Sequence, residues 1–145
     1  QGVVTHITVN PKDDEEYDLE IRADSLEYRP STRRLIYSGS ASVKVEASDL
    51  KADRLIFVLS EGDNRIQMVR ARGDVKVIRE LYRAEGEEAV FDLEKETIQL
   101  SGGPVLMHQQ KGRVQGDKLT FYLPDDRIVV ENKGRERSKT VIKES

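Results

Sequence analysis

Hydrophobic and polar residues alternate along almost the whole chain, and this alternation predicts β-strands. A period of two places apolar side chains on one face of a strand and polar side chains on the other. No sustained apolar stripe with a helical period occurs. Residues 85–96 (EGEEAVFDLEKE) favour a helix by propensity, but their position within a repeat favours a strand. Short runs separated by regularly spaced turns predict an all-β sandwich or barrel.

A seven-residue phrase occurs four times, the third time in a weaker form. Its copies share an acidic residue, an apolar residue two positions later and an aromatic residue two positions after that. The copies are RADSLEY (22–28), KADRLIF (51–57), EGEEAVF (85–91) and QGDKLTF (115–121). The aromatic residues are Tyr28, Phe57, Phe91 and Phe121, with steps of 29, 34 and 30 residues. Such spacing indicates one structural unit repeated with loops of different length.

Each copy is followed by a second alternating run that contains a glycine. These glycines are Gly39, Gly73, Gly102 and Gly134. Glycine inside a strand usually marks a bulge, a sharp bend or a close backbone approach. We therefore predict a unit of strand, tight turn, strand, glycine bend and strand, in which the bend carries a long strand from one sheet into another. Residues 55–59 are apolar throughout, which predicts a strand covered on both faces.

The residues suited to catalysis or metal binding have structural interpretations. Asp24, Asp53 and Asp117 precede apolar runs, where a carboxylate can accept a backbone N–H in an Asx-type turn. Repeats stacked in a row would keep these acids apart. His6 and His108 lack a histidine partner at metal-binding spacing, and we place both at the surface or rim. With no cysteine and no G-x-S-x-G motif, we predict a protein that is not an enzyme and has no metal site and no cofactor.

Composition narrows the class of protein further. The chain has 145 residues, which is enough for one domain with a buried core. It is 37% hydrophobic and 35% charged. No run approaches the roughly 18 to 20 apolar residues of a membrane-spanning helix, and we expect no signal peptide within this sequence. A net charge of −3 argues against nucleic acid as a partner, because nucleic-acid-binding surfaces are usually basic.

A basic stretch, VRARGDVKVIRELYR (69–83), allows two interpretations. Its cationic residues are Arg70, Arg72, Lys76, Arg79 and Arg83. Together they could meet a phosphate-bearing ligand. We favour a solvated face or a charge-protected edge, because the acidic run EGEE (85–88) follows at once and could neutralise the cations. The RGD tripeptide at 72–74 is too short to be strong evidence of a function, and the predicted bend already explains its glycine.

The repeated AD-x-L-x-[YF] unit with its glycine, together with GGPVLMHQQKGRVQGDKLTFYL at 102–123, resembles the OstA-like family of lipopolysaccharide-transport proteins. Within the family, the chain is most similar to the soluble periplasmic bridge members. The resemblance covers about residues 19–134. It implies a single domain over 1–145, folded as an antiparallel β-jellyroll of about four hairpin units. The jellyroll is expected to be an open, V-shaped sandwich.

The resemblance also implies a function. Members of the family shield lipid acyl chains in an apolar trough, and the bridge members connect the inner and outer membranes by stacking end to end through their edge strands. We therefore expect a periplasmic, non-enzymatic carrier with lipopolysaccharide, inner-membrane and outer-membrane transport components and further copies of itself as partners. The expected terminal edges are VVTHITV (3–9) and RIVVEN (127–132).

The expected lipid contacts are the inward aliphatic and aromatic residues of the repeats. They are Leu26, Tyr28, Tyr37, Val43, Val45, Leu55, Phe57, Ile66, Met68, Val75, Val77, Phe91, Leu100, Leu119 and Phe121. Any one of them could instead simply fill the core, because a sandwich needs such residues in any case.

Two alternatives stay open at this point. The chain could be a structural or adhesive β-repeat module, whose interior would be packed and would not bind lipid. It could also be the soluble N-terminal domain of the outer-membrane translocon of the same pathway. A carbohydrate-active sandwich is disfavoured, because the absence of tryptophan and an aromatic content of 6% leave few platforms for sugar stacking.

Overall fold

The chain folds almost entirely into β-strands. The computed structural model describes residues 2–12, 15–45, 47–62, 65–110, 112–132 and 139–143. Its strands are β1 (Val3–Lys12), β2 (Glu15–Ala23), β3 (Ser25–Arg29), β4 (Arg34–Val45), β5 (Ser48–Leu59), β6 (Ile66–Ile78), β7 (Tyr82–Asp92), β8 (Thr97–Ser101), β9 (Val105–His108), β10 (Gly112–Gln115), β11 (Lys118–Tyr122), β12 (Arg127–Glu131) and β13 (Lys139–Lys143). A short 3-10 helix, Leu123–Asp125, precedes β12. The all-β prediction is confirmed: within the segment with helical propensity, residues 85–92 belong to β7 and residues 93–96 form the turn to β8.

All pairings are antiparallel, and they join the strands in the order β1-β2-β4-β5-β6-β7-β8-β11-β12-β13, with β3 beside β4 and β9 between β7 and β10. This sheet folds over on itself, and β4 to β7 pass through both halves. Sheet I comprises β3, residues 34–38, 54–59, 66–72 and 88–92 of these long strands, β8, β11, β12 and β13. Sheet II comprises β1, β2, residues 41–45, 48–52, 75–78 and 82–86, β9 and β10.

Three bends carry the chain from one sheet to the other, and each is formed by two residues with positive φ. The pairs are Gly39–Ser40 (84° and 44°), Gly73–Asp74 (83° and 46°) and Gly102–Gly103 (81° and 67°). A Cβ atom at the first residue of each pair would overlap the acidic side chain of the same repeat unit, which is Asp24, Asp53 or Glu87 respectively. Glycine therefore meets both a conformational and a steric requirement there. The predicted bends are confirmed at these positions, whereas Gly134 lies outside the described residues.

Small residues line the interior beside the bends. Ala41, Ala52, Ala71 and Ala89 are all buried, and a methyl group at Gly86 would lie only 3.0 Å from the carbonyl oxygen of Ser101. Small side chains let the two sheets approach closely at this edge.

The C-terminal edge of the sheet differs from the prediction. Residues 127–132 are not terminal, because β12 pairs with β13 from Arg127 to Glu131. Within the described ranges, the strands with a single partner are β1, β3, β10 and β13. The predicted N-terminal edge at 3–9 is confirmed as part of β1. The prediction that residues 55–59 are covered on both faces holds for residues 55–57, since outward-facing Ile56 is 8% exposed and inward-facing Phe57 is fully buried. Val58 and Leu59 are half-buried.

Gly102→Ala is expected to destabilise the fold more than Gly103→Ala. Both glycines have positive φ, so alanine costs about 1–2 kcal/mol at either position. At Gly102 the added Cβ would also lie 2.5 Å from Glu87 Cβ, whereas nothing lies within 4 Å of a Cβ at Gly103. In urea denaturation, the free energies of unfolding of the two variants should differ by more than about 1 kcal/mol. Equal losses would show that the contact with Glu87 does not restrict the bend.

Candidate functional site

Two rows of inward apolar side chains run across sheet I, aligned residue by residue by strand pairing. The first row is Leu26, Tyr37, Leu55, Ala71, Ala89, Leu100, Leu119 and Val130. The second row is Tyr28, Leu35, Phe57, Val69, Phe91, Ile98, Phe121 and Ile128. The facing row on sheet II is Thr5, Ile21, Val43, Leu50, Val77, Ala84, Leu106 and Val114. Both sheets contribute to one hydrophobic core, so the repeats line a common interior.

The interior is closed in the third and fourth repeat units. Tyr82 of sheet II stacks on Phe121 of sheet I, with ring centroids 5.3 Å apart and an interplanar angle of 5°. Beside this pair, Arg79 Nη2 lies 3.1 Å from Asp126 Oδ1. Arg79 directly follows the last residue of β6 in sheet II, and Asp126 directly precedes the first residue of β12 in sheet I. The ion pair therefore links the two sheets on the side of the sandwich opposite the bends.

The interior reaches the surface at the N-terminal end of the sheet. All five residues of β3 are exposed. Leu26 and Tyr28 continue the two inward rows, yet they are 40% and 51% exposed. Leu35, Val3 and Ile7 lie nearby in the pairing order and are only partly buried against the core. The apolar rows thus end in an opening, which we call the β3 mouth.

The outward face of β3 is charged. Arg29 Nε donates a 2.6 Å hydrogen bond to Glu27 Oε2, and this bond, together with the positive charge of Arg29, lowers the pKa of the Glu27 carboxyl. Both groups lie on the surface, where such a pair contributes little to stability. The strand therefore presents charge outward and apolar side chains inward along the same free edge.

A crevice remains between the sheets next to the contacts that close the interior, on the side opposite the bends. Its apolar lining comes from both sheets and consists of Val43, Val45, Leu50, Val77, Phe91, Ile98 and Leu123. Ser48, Asp49 and Arg79 add polar groups to the same crevice. Because Arg79 is one of the lining residues, its ion pair with Asp126 lies beside the apolar lining of the crevice.

Most of the predicted contact residues are buried in the shared core. Those at most 8% exposed are Tyr37, Val43, Val45, Leu55, Phe57, Val75, Val77, Phe91, Leu100, Leu119 and Phe121. Ile66 is partly buried and packs against the core, while Leu26 and Tyr28 lie at the β3 mouth. Contact of these residues with lipid stays a prediction, and the buried ones also build the core.

The prediction that Met68 points inward is wrong. The register between β5 and β6 skips Gln67, which lies between Met68 and Ile66. A bulge of one residue reverses the alternation of side chains between the two faces. Ile66 consequently points inward and Met68 outward, and Val69 fills the inward position with no exposed surface.

Sequence reasoning overlooks one column of inward residues. The column lies three positions before each repeated acid and consists of Ile21, Leu50, Ala84 and Val114. The first three are buried, and the fourth is partly buried against the core. The signal was present, because the alternation of apolar residues extends upstream of each copy of the phrase.

The two histidines lie in different environments. His6 is exposed, and its Nε2 lies 3.9 Å from Glu20 Oε1, so its surface placement is confirmed. The surface placement of His108 is wrong, because it is 6% exposed and pairs across the strands with inward-facing Tyr82. Its Nδ1 accepts a 3.1 Å hydrogen bond from the backbone N–H of Gln110.

The described ranges contain neither a metal-binding cluster nor a membrane-spanning helix. No group of three or more His, Cys, Asp or Glu side chains there could hold a metal ion. The same part of the chain contains no helix of the length and apolarity that crossing a membrane requires.

The cations of the basic stretch do not form one patch. By strand pairing, Arg70 and Arg72 lie on the outward face of sheet I and Lys76 on the outward face of sheet II. Arg83 Nη2 lies 3.3 Å from Glu85 Oε1 in a surface ion pair. Arg79 instead lines the crevice with 19% of its side chain exposed. The solvated-face interpretation therefore does not extend to Arg79.

The fold and the shared interior define an open antiparallel β-jellyroll built from repeated hairpins. The model of the LptA/(LptD N-terminal domain) LPS transport protein family matches residues 20–127. The chain therefore belongs to this family of lipopolysaccharide-transport proteins, which confirms the family resemblance noted in the sequence.

A solved structure supports the same fold. It is the crystal structure of LptH, the LptA-homologous periplasmic component of the conserved lipopolysaccharide transport device from Pseudomonas aeruginosa. The two chains are 11% identical and superpose with a TM-score of 0.69, covering 88% of this chain and 95% of LptH. At this identity the similarity concerns the fold, and the predicted jellyroll is confirmed. A search of curated protein sequences found no match.

Leu55→Ala is expected to destabilise the protein far more than Leu26→Ala, although the two residues belong to the same inward row. Leu55 is fully buried, whereas Leu26 is 40% exposed. Truncation of a buried leucine costs about 2–5 kcal/mol, while the exposed position should lose less than about 1 kcal/mol. Urea denaturation measures both values. Similar losses would contradict an opening at β3.

Proposed function

We propose that this chain carries lipopolysaccharide and shields its acyl chains against the inward apolar face of the jellyroll. The β3 mouth supports this proposal most directly, because both inward rows continue from the buried core to Leu26 and Tyr28, which are 40% and 51% exposed. An apolar surface that runs from the core into solvent favours contact with another apolar molecule. Membership of a lipopolysaccharide-transport family indicates which amphiphile this is.

An acyl chain entering at the β3 mouth would gain about 0.8 kcal/mol for each methylene group removed from water. It can first lie on Leu26, Tyr28 and Leu35 without disturbing the packed core. Deeper contacts, with Tyr37 and Phe57 next in the two rows, require the sheets to separate. Since this free energy accumulates one methylene group at a time, a bound acyl chain can also leave in small steps and be transferred to the next protein.

The hydroxyl group of Tyr37 supports binding of an acyl linkage in this part of the interior. It is buried and makes no hydrogen bond within the described part of the chain. Leaving a buried hydroxyl unpaired costs about 1–3 kcal/mol. An ester or amide group that joins an acyl chain to its sugar could pair with it. Beyond Tyr37 the proposed contacts are the remaining inward residues of the predicted set, without Met68.

We further propose that copies of the chain stack end to end in the periplasm between inner-membrane and outer-membrane transport components, and that they do so without enzymatic activity. Strands β1 and β3 form one end of the sheet, and β10 and β13 form the other. Unpaired edge strands can add a strand from another chain. Because the two ends differ, such contacts are head to tail and produce open filaments. The same edges would serve an N-terminal domain of LptD, which the family description also covers.

Lipid binding is expected to depend on the acyl chains and on the β3 mouth. Native mass spectrometry should detect a complex with lipopolysaccharide but not with its fully deacylated form. Leu26→Asp and Tyr28→Asp should each weaken binding on the order of tenfold, because a bound acyl chain would remove the new carboxylate from water, which is unfavourable. Val4→Asp is the matched control, since Val4 is 50% exposed but lies on the outward face of β1.

The outcome separates the carrier from the structural module. Equal weakening by all three aspartate variants would mean that added charge, and not the β3 mouth, governs binding. Failure of the folded wild-type protein to bind lipopolysaccharide would support a packed β-repeat module instead.

End-to-end stacking is expected to bring β1 of one copy beside β10 of the next. The chain has no cysteine, so single cysteines report contacts without interference. Chains with Val4→Cys, mixed with chains carrying a cysteine at one position of β10, should form intermolecular disulfides that increase with concentration. Gln99→Cys is the control, because Gln99 is exposed on β8, which has partners on both sides. Cross-linking equal to that of the control would argue against stacking through these edges.

A further inference from the structure

One cation of the basic stretch lies apart from the others, at the crevice between the two sheets. Arg79 lies in the turn between β6 and β7, and only 19% of its side chain is exposed. Its guanidinium carbon is 6.0 Å from the centre of the Tyr82 ring. The aliphatic and aromatic residues Leu50, Phe91 and Leu123 line the same crevice. A fixed positive charge thus lies where the apolar interior meets solvent.

The partner of Arg79 leaves much of the guanidinium available. The ion pair joins Nη2 to Asp126 Oδ1 at 3.1 Å, and the Asp126 side chain is 45% exposed. A guanidinium has five N–H donors in a planar fork that matches the oxygens of a phosphate. The Asp126 carboxylate is already largely in contact with solvent. An incoming anion that replaces it keeps Arg79 paired while the Asp126 carboxylate returns to water.

Arg79 supplies the positive charge among the residues that line the crevice. The acid of the same lining, Asp49, is adjacent to inward-facing Leu50 in its strand and therefore points outward, where Lys44 lies opposite it in the strand pairing. The crevice thus offers a cation next to apolar side chains, which is the combination that an anionic amphiphile requires.

We propose that the guanidinium of Arg79 binds the phosphate group of the amphiphile whose acyl chain enters the crevice. In the absence of this ligand, the Asp126 carboxylate pairs with the guanidinium, and the phosphate replaces it on binding. The proposal rests on the carrier function above and adds a headgroup site to it. The ion pair then has a second role, since its exchange releases the contact that links the two sheets opposite the bends.

The test compares two lipids with the same oleoyl chain, lysophosphatidic acid and monooleoylglycerol, below their micelle concentrations. Dissociation constants are measured by thermophoresis for the wild type, Arg79→Gln and Asp126→Asn. We expect the wild type to bind the phosphate-bearing lipid on the order of tenfold more tightly than the neutral one. Arg79→Gln should remove this preference and leave the affinity for monooleoylglycerol unchanged. Asp126→Asn should increase the preference several-fold.

The two variants control for each other. Both break the same ion pair, so a merely structural role would change stability and binding alike in both. Opposite changes in the preference for phosphate, with equal urea midpoints, support the headgroup site. Similar changes overturn it.

Two further arms separate the possible failures. If both lipids bind with a ratio that Arg79→Gln does not alter, the headgroup site is wrong and the carrier function stands. If the wild type binds neither lipid, both proposals are wrong. Inorganic phosphate that binds the wild type as tightly as lysophosphatidic acid would assign Arg79 to free phosphate and overturn the amphiphile site.

Discussion

The structure depends on the close contact between each glycine bend and the acidic side chain of its own repeat unit. The contacts are Gly39 with Asp24, Gly73 with Asp53 and Gly102 with Glu87. In each, the strand that opens the unit crosses next to the strand that ends it, with room for a hydrogen atom but not for a methyl group. The positive φ of two successive residues turns the strand at that point. Without these bends the long strands would form an open sheet with one large apolar face in water.

Bends on one side leave the opposite side to be held by side chains. In the third and fourth units, the stacked rings of Tyr82 and Phe121 and the ion pair of Arg79 with Asp126 hold the sheets together. In the first unit the corresponding inward residues of β3 are exposed. The sandwich is thus fixed along one edge, closed at one end and open at the other. The acyl-chain entry that we propose lies at the open end, away from the contacts that hold the two sheets together.

The candidate site is predictable as a set and less so residue by residue. Alternation around the repeated acids places most inward residues correctly, because strand geometry fixes which side chains share a face. It fails at Met68, where the bulge at Gln67 reverses the faces. It also fails at His108, which we place at the surface because histidine is polar. His108 lies two positions after buried Leu106 and therefore points into the core, while Met107 between them is exposed. Bulges and burial depend on the neighbouring strand, which a local pattern does not include.

The sequence by itself determined the repeat, the strand-turn-strand unit and the glycine bends, because each of these follows from spacing and local backbone chemistry. Its motifs also resembled those of the family that the family model then confirmed. Only the tertiary structure decided where the interior is closed and where it opens. Leu26 and Leu55 occupy equivalent positions in their repeats, yet one is 40% exposed and the other is fully buried. Likewise, Arg79 resembles the other cations of its stretch until the fold brings Asp126 beside it. Identical local patterns acquire different roles because a repeat at the edge of a sheet lacks the neighbour that buries the others.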